Sequence, residues 1–219
     1  MEKMDIKTKL AIIMMTYADK GRLTKFTDKV YGFCNSDGTV NIVDLHSMKV
    51  IEKPFSISYI LDRILILHHK DINNLNFMTD YILNIDTFEI IEESQYRLSL
   101  VSNIVYESNN ITMYNHGEEI LVRKIYNELG ENIGEIKAYS DLSIENIEGT
   151  DYYIAKHTKV GETKETVAVY KINKDVKLIW ESDEYDVANI ADGIYSFSRY
   201  SNYKDTKVYN FYKKELAEI

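Results

Sequence analysis

Histidine is the residue type of this chain with the widest chemical range, because an imidazole can bind a metal ion or transfer a proton near neutral pH. The chain has five histidines, and His68 and His69 are the only adjacent pair. Neighbouring residues of an extended strand point to opposite faces, so these two rings would not bind one metal ion. The sequence therefore predicts no metal site, and we expect the two rings to lie in solvent at the edge of a loop.

Carboxylates and the single cysteine are the other candidates for catalysis. Glu181, Asp183, Glu184 and Asp186 are close along the chain, but glycoside hydrolysis needs two carboxylates that face each other across a cleft. Such an acidic run is typical of a solvated loop. Cys34 lies at the end of an apolar strand, a position that favours a buried, inert thiol over a nucleophile. We therefore predict no catalytic residue.

Sequence motifs of the common enzyme classes are absent from the chain. It has no glycine-rich phosphate loop, no His-Glu-x-x-His motif, no nucleophile elbow and no calcium loop of alternating carboxylates. A single cysteine also allows no intrachain disulfide and no cysteine metal cluster. The sequence predicts no cofactor, and it favours a protein without enzymatic activity.

The charge and the hydropathy of the chain limit the kinds of partner that it is expected to bind. The formal net charge of -9 and the pI of about 5.1 argue against nucleic acid, because binding to phosphates needs clustered Lys and Arg. The longest apolar run, residues 10–15, is far shorter than a membrane span. It is also shorter than the apolar part of a signal peptide. We expect a soluble, cytoplasmic protein that binds neither nucleic acid nor membranes, with secretion as the alternative.

The elements that position these residues follow a repeat of about forty residues. A polar turn followed by an apolar and aromatic strand occurs five times, and residues 27–33 and 191–197 are the clearest copies. The turns centre on Asp28, Asp62, Asn103, Asp151 and Asp192, which are spaced by roughly 34, 41, 48 and 41 residues. This period predicts five similar structural units along the chain.

A second strand follows each of these five strands after a polar loop. These second strands alternate apolar with polar residues, as half-buried strands do, and they cover residues 40–45, 81–85, 120–125, 167–172 and 207–211. The first loop contains Asp37 and Gly38, a pair that is typical of tight β-hairpins. The middle repeat, residues 104–126, is the least regular of the five. The chain is therefore predicted to be all-β.

In period and strand order, the repeat resembles that of β-propellers, although it carries no repeated Trp-Asp motif. The resemblance implies a small five-bladed β-propeller of four-stranded antiparallel blades, with residues 1–219 as a single domain. The chain starts with what would be an outermost strand. We therefore expect residues 9–15 to close the ring by pairing with the sheet of residues 187–211. The alternative is an amphipathic helix over residues 3–19.

The propeller interpretation places three longer loops, residues 68–79, 157–165 and 198–206, on one face around the central channel. Aromatic side chains in such loops suit protein or sugar recognition, since tyrosine combines a large apolar ring with a hydroxyl group. The candidate binding residues in these loops are His68, Phe77, His157, Arg199, Tyr200 and Tyr203.

These observations lead to one main hypothesis and two alternatives. The main hypothesis is a non-enzymatic interaction module that binds a protein partner through the loop face. The first alternative is a lectin that binds sugars or another small molecule in shallow pockets, and the dissimilar loops argue against it. The second is a small hydrolase with carboxylates that face the central funnel.

Overall fold

A computed structural model describes residues 4–17, 21–34, 40–70, 78–108, 121–139, 141–158 and 163–217. The predicted hairpin at Asp37 and Gly38 and the predicted binding residue Phe77 lie outside these ranges. The described residues form two compact units, with unit 1 comprising Met1–Gln95 and Glu128–Gly130, and unit 2 comprising Tyr96–Asn127 and Glu131–Ile219. The prediction of a single domain over residues 1–219 stays a prediction.

Unit 1 contains one helix and a seven-stranded antiparallel sheet whose strands follow their order in the chain. The long strand β4 belongs to two four-stranded sets, β1–β4 (sheet A) and β4–β7 (sheet B). The elements are α1 (Ile6–Tyr17), β1 (Arg22–Lys25), β2 (Val30–Cys34), β3 (Val40–Asp44), β4 (Lys49–Leu61), β5 (Ile64–Lys70), β6 (Met78–Asn84) and β7 (Glu89–Ser94).

Unit 2 contains three four-stranded antiparallel sheets, β8–β11 (sheet C), β12–β15 (sheet D) and β16–β19 (sheet E). In each, neighbouring strands of the sheet are also neighbours in the chain. The strands are β8 (Leu98–Val101), β9 (Ile104–Glu107), β10 (Leu121–Tyr126), β11 (Asn132–Ala138), β12 (Asp141–Asn146), β13 (Tyr152–Thr158), β14 (Glu165–Ile172), β15 (Val176–Ser182), β16 (Tyr185–Ala191), β17 (Ile194–Arg199), β18 (Asn202–Asn210) and β19 (Glu215–Ala217).

This strand plan confirms the all-β prediction and the repeated four-stranded unit. Three of the predicted turns are two-residue hairpins, because Leu61 pairs with Ile64, Val101 with Ile104, and Ala191 with Ile194. The second strands of the repeat correspond to β3, β6, β10, β14 and β18. Alternation of apolar and polar residues was therefore a sound guide to the strands.

Three sheets also share an irregularity in their last strand. The pairing of β7, β11 and β15 with the preceding strand skips one residue, which is Ile91 in sheet B, Ile133 in sheet C and Ile179 in sheet D. Such a β-bulge adds one residue to one strand and increases the local twist. The bulge marks an equivalent position in three of the repeats, and this position allows their residues to be matched.

The prediction that residues 9–15 close a sheet with residues 187–211 is wrong. The segment forms helix α1, which was the alternative, and the fourth strand of sheet E is β19 near the other end of the chain. Asp5 caps the helix, because its Oδ1 accepts hydrogen bonds from the backbone N–H groups of Lys7 (2.8 Å) and Thr8 (3.1 Å). The apolar run of residues 10–15 fits both the spacing of a strand and that of a helix, and the cap at Asp5 favours the helix.

Each unit has its own apolar core. In unit 1, Ile13 of α1 packs with Phe33 and Val43, and a second cluster between sheets A and B includes Leu65 and Leu83. Unit 2 has one cluster between sheets C and D and another between sheets D and E. Burial of each large aliphatic side chain contributes about 1.5–3 kcal/mol. The cluster between sheets D and E contains more aromatic residues than any of the other three, and it borders the candidate site.

No helix in the described part of the chain is long and apolar enough to cross a membrane.

Candidate functional site

Unit 2 has an open pocket of about 290 Å³ between sheets D and E. Six aromatic side chains line it, together with Val169 and Ile179. Lys207 is the charged residue of its lining, which includes no Asn, Gln, Asp or Glu among the described residues. The aromatic residues are Tyr152, Trp180, Tyr185, Phe197, Tyr209 and Phe211.

Sheet E supplies its side of the pocket through simple β-strand alternation. Phe197 of β17 pairs with Lys207 of β18, and Tyr195 pairs with Tyr209, so these side chains share one face. Phe211 directly follows β18 on the same alternation, and its ring lies 4.7 Å from that of Tyr209. The spacing of two residues between Lys207, Tyr209 and Phe211 was visible in the sequence, but the face that they occupy was not.

Sheet D supplies the other side of the pocket through its bulged strand. Val169 of β14 pairs with Trp180 of β15, and the skipped residue Ile179 is 49% exposed at the pocket edge. The Trp180 ring makes edge-to-face contacts with Phe197 (5.3 Å) and Tyr185 (5.8 Å). Each such contact contributes about 0.5–1.5 kcal/mol beyond area burial. The rings therefore hold one another while part of Trp180 stays accessible.

Beneath the pocket, Tyr195 is buried in the same apolar cluster. Its hydroxyl donates a hydrogen bond to Glu145 Oε1 (3.0 Å) and accepts one from Asn189 Nδ2 (3.2 Å). Burial, followed by the interaction with the Glu145 carboxylate, raises the pKa of Tyr195 to about 12. Tyr195 therefore keeps its proton at neutral pH and supports the Phe211 ring, which lies 5.7 Å away.

Three of the sequence-predicted residues, Arg199, Tyr200 and Tyr203, lie on one hairpin next to the pocket residue Tyr185. Arg199 pairs with Tyr185 across strands, with its guanidinium carbon 5.5 Å from the tyrosine ring. Its Nη2 also lies 3.0 Å from Glu184 Oε2, and its Nη1 lies 3.8 Å from Asp205 Oδ2. Electrostatic attraction, first from Tyr185 and then from Glu184, raises the pKa of Arg199. Arg199 is therefore a permanent cation held beside the pocket.

Tyr200 and Tyr203 belong to the same hairpin as Arg199, which is formed by β17 and β18 and is called the Arg199 hairpin below. The Tyr200 backbone N–H donates to the Glu184 carbonyl (2.9 Å), and burial raises the pKa of its half-buried side chain. Tyr203 is 66% exposed. The prediction of a loop over residues 198–206 is wrong, because β17 and β18 continue to a tight turn at residues 200–201. Exposed polar strand residues resembled a loop in the sequence.

The sequence placed His157 in the loop of residues 157–165, and this placement is wrong. It belongs to β13 and is 4% exposed, and its ring packs on Tyr139 at 5.4 Å. The Tyr139 backbone N–H donates to His157 Nδ1 (3.3 Å), and Nε2 lies 4.0 Å from Glu181 Oε1. Burial lowers the pKa of His157 because it disfavours the imidazolium. His157 is therefore a neutral core residue of unit 2.

His68 is likewise buried, in strand β5 of unit 1. Its Nδ1–H donates to Asp80 Oδ1 on the next strand, and Asp80 is 1% exposed. The sequence placed His68 at the edge of a solvated loop, and this placement is wrong because β5 extends to Lys70. Of the predicted binding residues in the described part of the chain, only those of the Arg199 hairpin are near the aromatic pocket.

No group of three or more His, Cys, Asp or Glu side chains that could hold a metal ion occurs within the described ranges. The carboxylates of the acidic run have different neighbours in the structure. Glu181 lies near His157, whereas Glu184 forms an ion pair with Arg199. The pocket offers apolar contacts with two cations nearby, Lys207 and Arg199, rather than groups that transfer protons.

No protein-family model matches the sequence. No curated protein matches it either.

Several solved structures show weak likenesses to the chain. It is similar to the beta-propeller domain of the trilobed protease from Pyrococcus furiosus, with 12% identity and a TM-score of 0.42 over 91% of this chain and 71% of that one. It is similar to the WD40 beta propeller domain of Doa1, with 12% identity and a TM-score of 0.36 over 90% of this chain and 66% of that one. For BamB from Moraxella catarrhalis the identity is 11% and the TM-score 0.34, over 82% of this chain and 54% of that one.

Two of these structures are described as β-propellers, the class that the repeat resembles. The chain spans 71%, 66% and 54% of the length of the three structures. At these TM-scores and identities the likenesses carry no argument about function, which has to come from the residues of this chain.

Proposed function

We propose that this chain is a small five-bladed β-propeller that binds a protein partner without catalysing a reaction. Support for the blade count comes from the strand plan, in which sheets A to E each contain four consecutive antiparallel strands. Support for binding comes from the aromatic pocket between sheets D and E. The partner inserts an apolar side chain there and contacts the Arg199 hairpin.

The composition of the pocket is the observation that carries this proposal. Aromatic side chains and arginine are enriched where proteins bind one another, and an anchor residue that fills a pocket provides much of the affinity. The pocket volume of about 290 Å³ suits one large apolar side chain. Burial of such a side chain contributes about 1.5–3 kcal/mol, which corresponds to about a ten- to hundredfold change in Kd.

The same composition argues against the two alternatives. A sugar site needs amide or carboxylate groups to bind hydroxyls, and the described pocket lining contains none. A hydrolase needs a pair of carboxylates poised for proton transfer. Glu184 and Asp205 each lie beside Arg199 rather than facing each other across the pocket, and neither is part of its lining.

Selection of peptides from a displayed random library tests the proposal. We expect selection against this protein to enrich peptides that share a Phe, Trp, Leu or Met anchor. The variant Ile179→Asp places a charge at the pocket edge and should weaken binding of a selected peptide about tenfold or more. Ile190→Asp is the matched control, because Ile190 is 56% exposed on β16 and does not line the pocket.

Circular dichroism of both variants establishes that each remains folded. Equal affinity of the selected peptide for the two variants would contradict the assignment of the pocket. Failure to enrich any peptide family would contradict the proposed function itself.

A further inference from the structure

A second cavity adjoins the aromatic pocket in unit 2 and shares Tyr152 and Phe211 with it. Its volume is about 250 Å³, and its lining includes Lys171 and Lys214. Asp151 also lines this cavity, and its Oδ2 accepts a hydrogen bond from Asn173 Nδ2 (3.4 Å). Unlike the aromatic pocket, this cavity has several charged and polar residues in its lining.

The strand directions place the two cavities in a line. On β14, Val169 lines the pocket, and Lys171, two residues later on the same face, lines the second cavity. On β18, the alternation passes from Lys207 through Tyr209 to Phe211, where the second cavity begins. Four residues of extended chain span about 13 Å. The six aromatic residues of the pocket therefore have Lys207 at one end and, about 13 Å along β18 at Phe211, the cavity that contains Lys171 and Lys214 at the other.

Lys207 lines the pocket without an acidic neighbour in the lining, and Lys171 and Lys214 line the second cavity together with one carboxylate, Asp151. Basic residues therefore outnumber acidic ones in both linings, although the formal net charge of the chain is -9. Lys171, Lys207 and Lys214 form no ion pair with the side chains that the structure describes. At the Tyr185 end, Arg199 faces the nearby carboxylates Glu184 and Asp205. A ligand that runs along β18 therefore meets positive charge before and after the aromatic surface.

We infer that the partner segment is extended and acidic, with one apolar anchor and an acidic side chain two residues away on each side. The anchor lies over Tyr209, one acidic side chain reaches Lys207, and the other reaches Lys171 and Lys214. The spacing follows from the span of about 13 Å, which equals four residues of an extended peptide. This inference rests on the proposed function and adds the chemistry of the partner.

Three synthetic peptides of one design test the inference. Each has seven residues with Phe at the centre, Ser at the remaining positions, and either Glu, Gln or Lys at both positions two residues from the Phe. Binding to the full chain is followed through the fluorescence of Trp180, the only tryptophan of the chain. In about 0.02 M salt, we expect the Glu peptide to bind about threefold more tightly than the Gln peptide, and the Lys peptide to bind more weakly than either.

Variants with reversed charge assign the effect to the pocket. Lys207→Glu should abolish or invert the preference for the Glu peptide. Lys204→Glu should preserve it, because Lys204 is an exposed lysine of the same strand that does not line the pocket. About 0.5 M salt should reduce the differences among the peptides, since screening weakens exposed charge pairs.

The possible results separate the two proposals. Equal binding of all three peptides, or an unchanged preference in Lys207→Glu, overturns the acidic flanks and leaves an apolar-anchor site. If none of the peptides binds, while a selected library peptide does, the acidic motif is also wrong. If no peptide of any kind binds, the proposed function fails as well.

Discussion

Sheets B and D share a strand plan but differ in the chemistry that it carries. The bulge residues Ile91 and Ile179 occupy equivalent positions, so the residues of the two sheets can be matched one by one from there. In this register, the residue after the bulge is Glu92 in sheet B and Trp180 in sheet D. One exchange on the last strand thus accompanies the change from a charged edge to the wall of an aromatic pocket.

The second and third strands differ in the same way. Sheet B pairs His68 with Asp80, and both side chains are buried. The matching pair in sheet D is Lys156 with Val167. Lys156 extends to the Val187 carbonyl (3.2 Å) and to Glu165 (3.7 Å). At these matching positions, sheet B therefore has a buried pair of polar side chains, whereas sheet D has a partly exposed lysine opposite a buried valine.

The largest expected effect comes from breaking the buried pair of sheet B. Asp80→Ala removes the acceptor of the His68 Nδ1–H and leaves a buried polar group without its partner, at a cost of about 3 kcal/mol in the free energy of unfolding. Urea denaturation measures this loss. The double variant His68→Leu with Asp80→Leu should recover a large part of it, because both polar groups are gone. A loss below about 1 kcal/mol for Asp80→Ala would contradict the structural role of the pair.

The next effect compares the residues that follow the two bulges. Trp180→Ala removes a half-buried ring and its two edge-to-face contacts, so we expect a loss of about 2 kcal/mol. Glu92→Ala, at the matching position of sheet B, should cost less than about 1 kcal/mol because that side chain is only partly buried. Thermal unfolding of both variants provides the measurement, and equal losses would show that the two edges do not differ as described.

A smaller effect concerns the pH dependence of His157. Its pKa is lowered in the folded chain, so the unfolded chain takes up a proton first, at a pH near its unperturbed pKa of about 6.5. Stability should therefore fall as the pH decreases below about 7, by about 1 kcal/mol at pH 5.5. Glu181 is 44% exposed on its side chain, so solvent screens its attraction for the ring.

His157→Gln checks this effect, because the amide oxygen can accept the Tyr139 N–H bond but does not titrate in this range. Urea midpoints of the variant should depend less on pH than those of the wild type. If the two pH profiles coincide, the burial of a neutral imidazole is not the cause.

The smallest effect on stability is expected at the hairpin beside the pocket. Arg199→Ala removes two exposed ion pairs and a contact with the Tyr185 ring, and solvent screening leaves such exposed pairs little effect on the free energy of unfolding. We expect the variant to weaken binding of a selected peptide measurably, as an increase in Kd, while the free energy of unfolding changes little. Lys204→Ala is the control on the same hairpin, and an equal effect of both variants on binding would remove Arg199 from the site.

Most of the strand plan could be predicted from the sequence, because period-two alternation marks half-buried strands wherever they pair. The helix α1 was predicted only as the alternative to a strand because residues 9–15 satisfy both periodicities, and the capping residue Asp5 is the sequence signal that favours the helix. The hairpin strands around Tyr203 were missed because their first residues are exposed on both faces and look like a loop.

The candidate site could be predicted only in part. Arg199, Tyr200 and Tyr203 were identified as binding candidates; they share one hairpin, and Arg199 contacts the pocket residue Tyr185. Phe197 belonged to a predicted strand, but its contact with Trp180 depends on the bulge at Ile179 and on the packing of two sheets. Neither feature leaves a local pattern in the sequence.

The central claim is that the aromatic pocket of unit 2 receives an apolar side chain from a protein partner. The most direct test is the emission of Trp180 during titration with a library-selected peptide that contains no tryptophan. We predict a blue shift that saturates with the peptide and is lost in Ile179→Asp but kept in Ile190→Asp. Calorimetric binding of the peptide without any change in Trp180 emission would contradict the claim and place the binding site elsewhere on the chain.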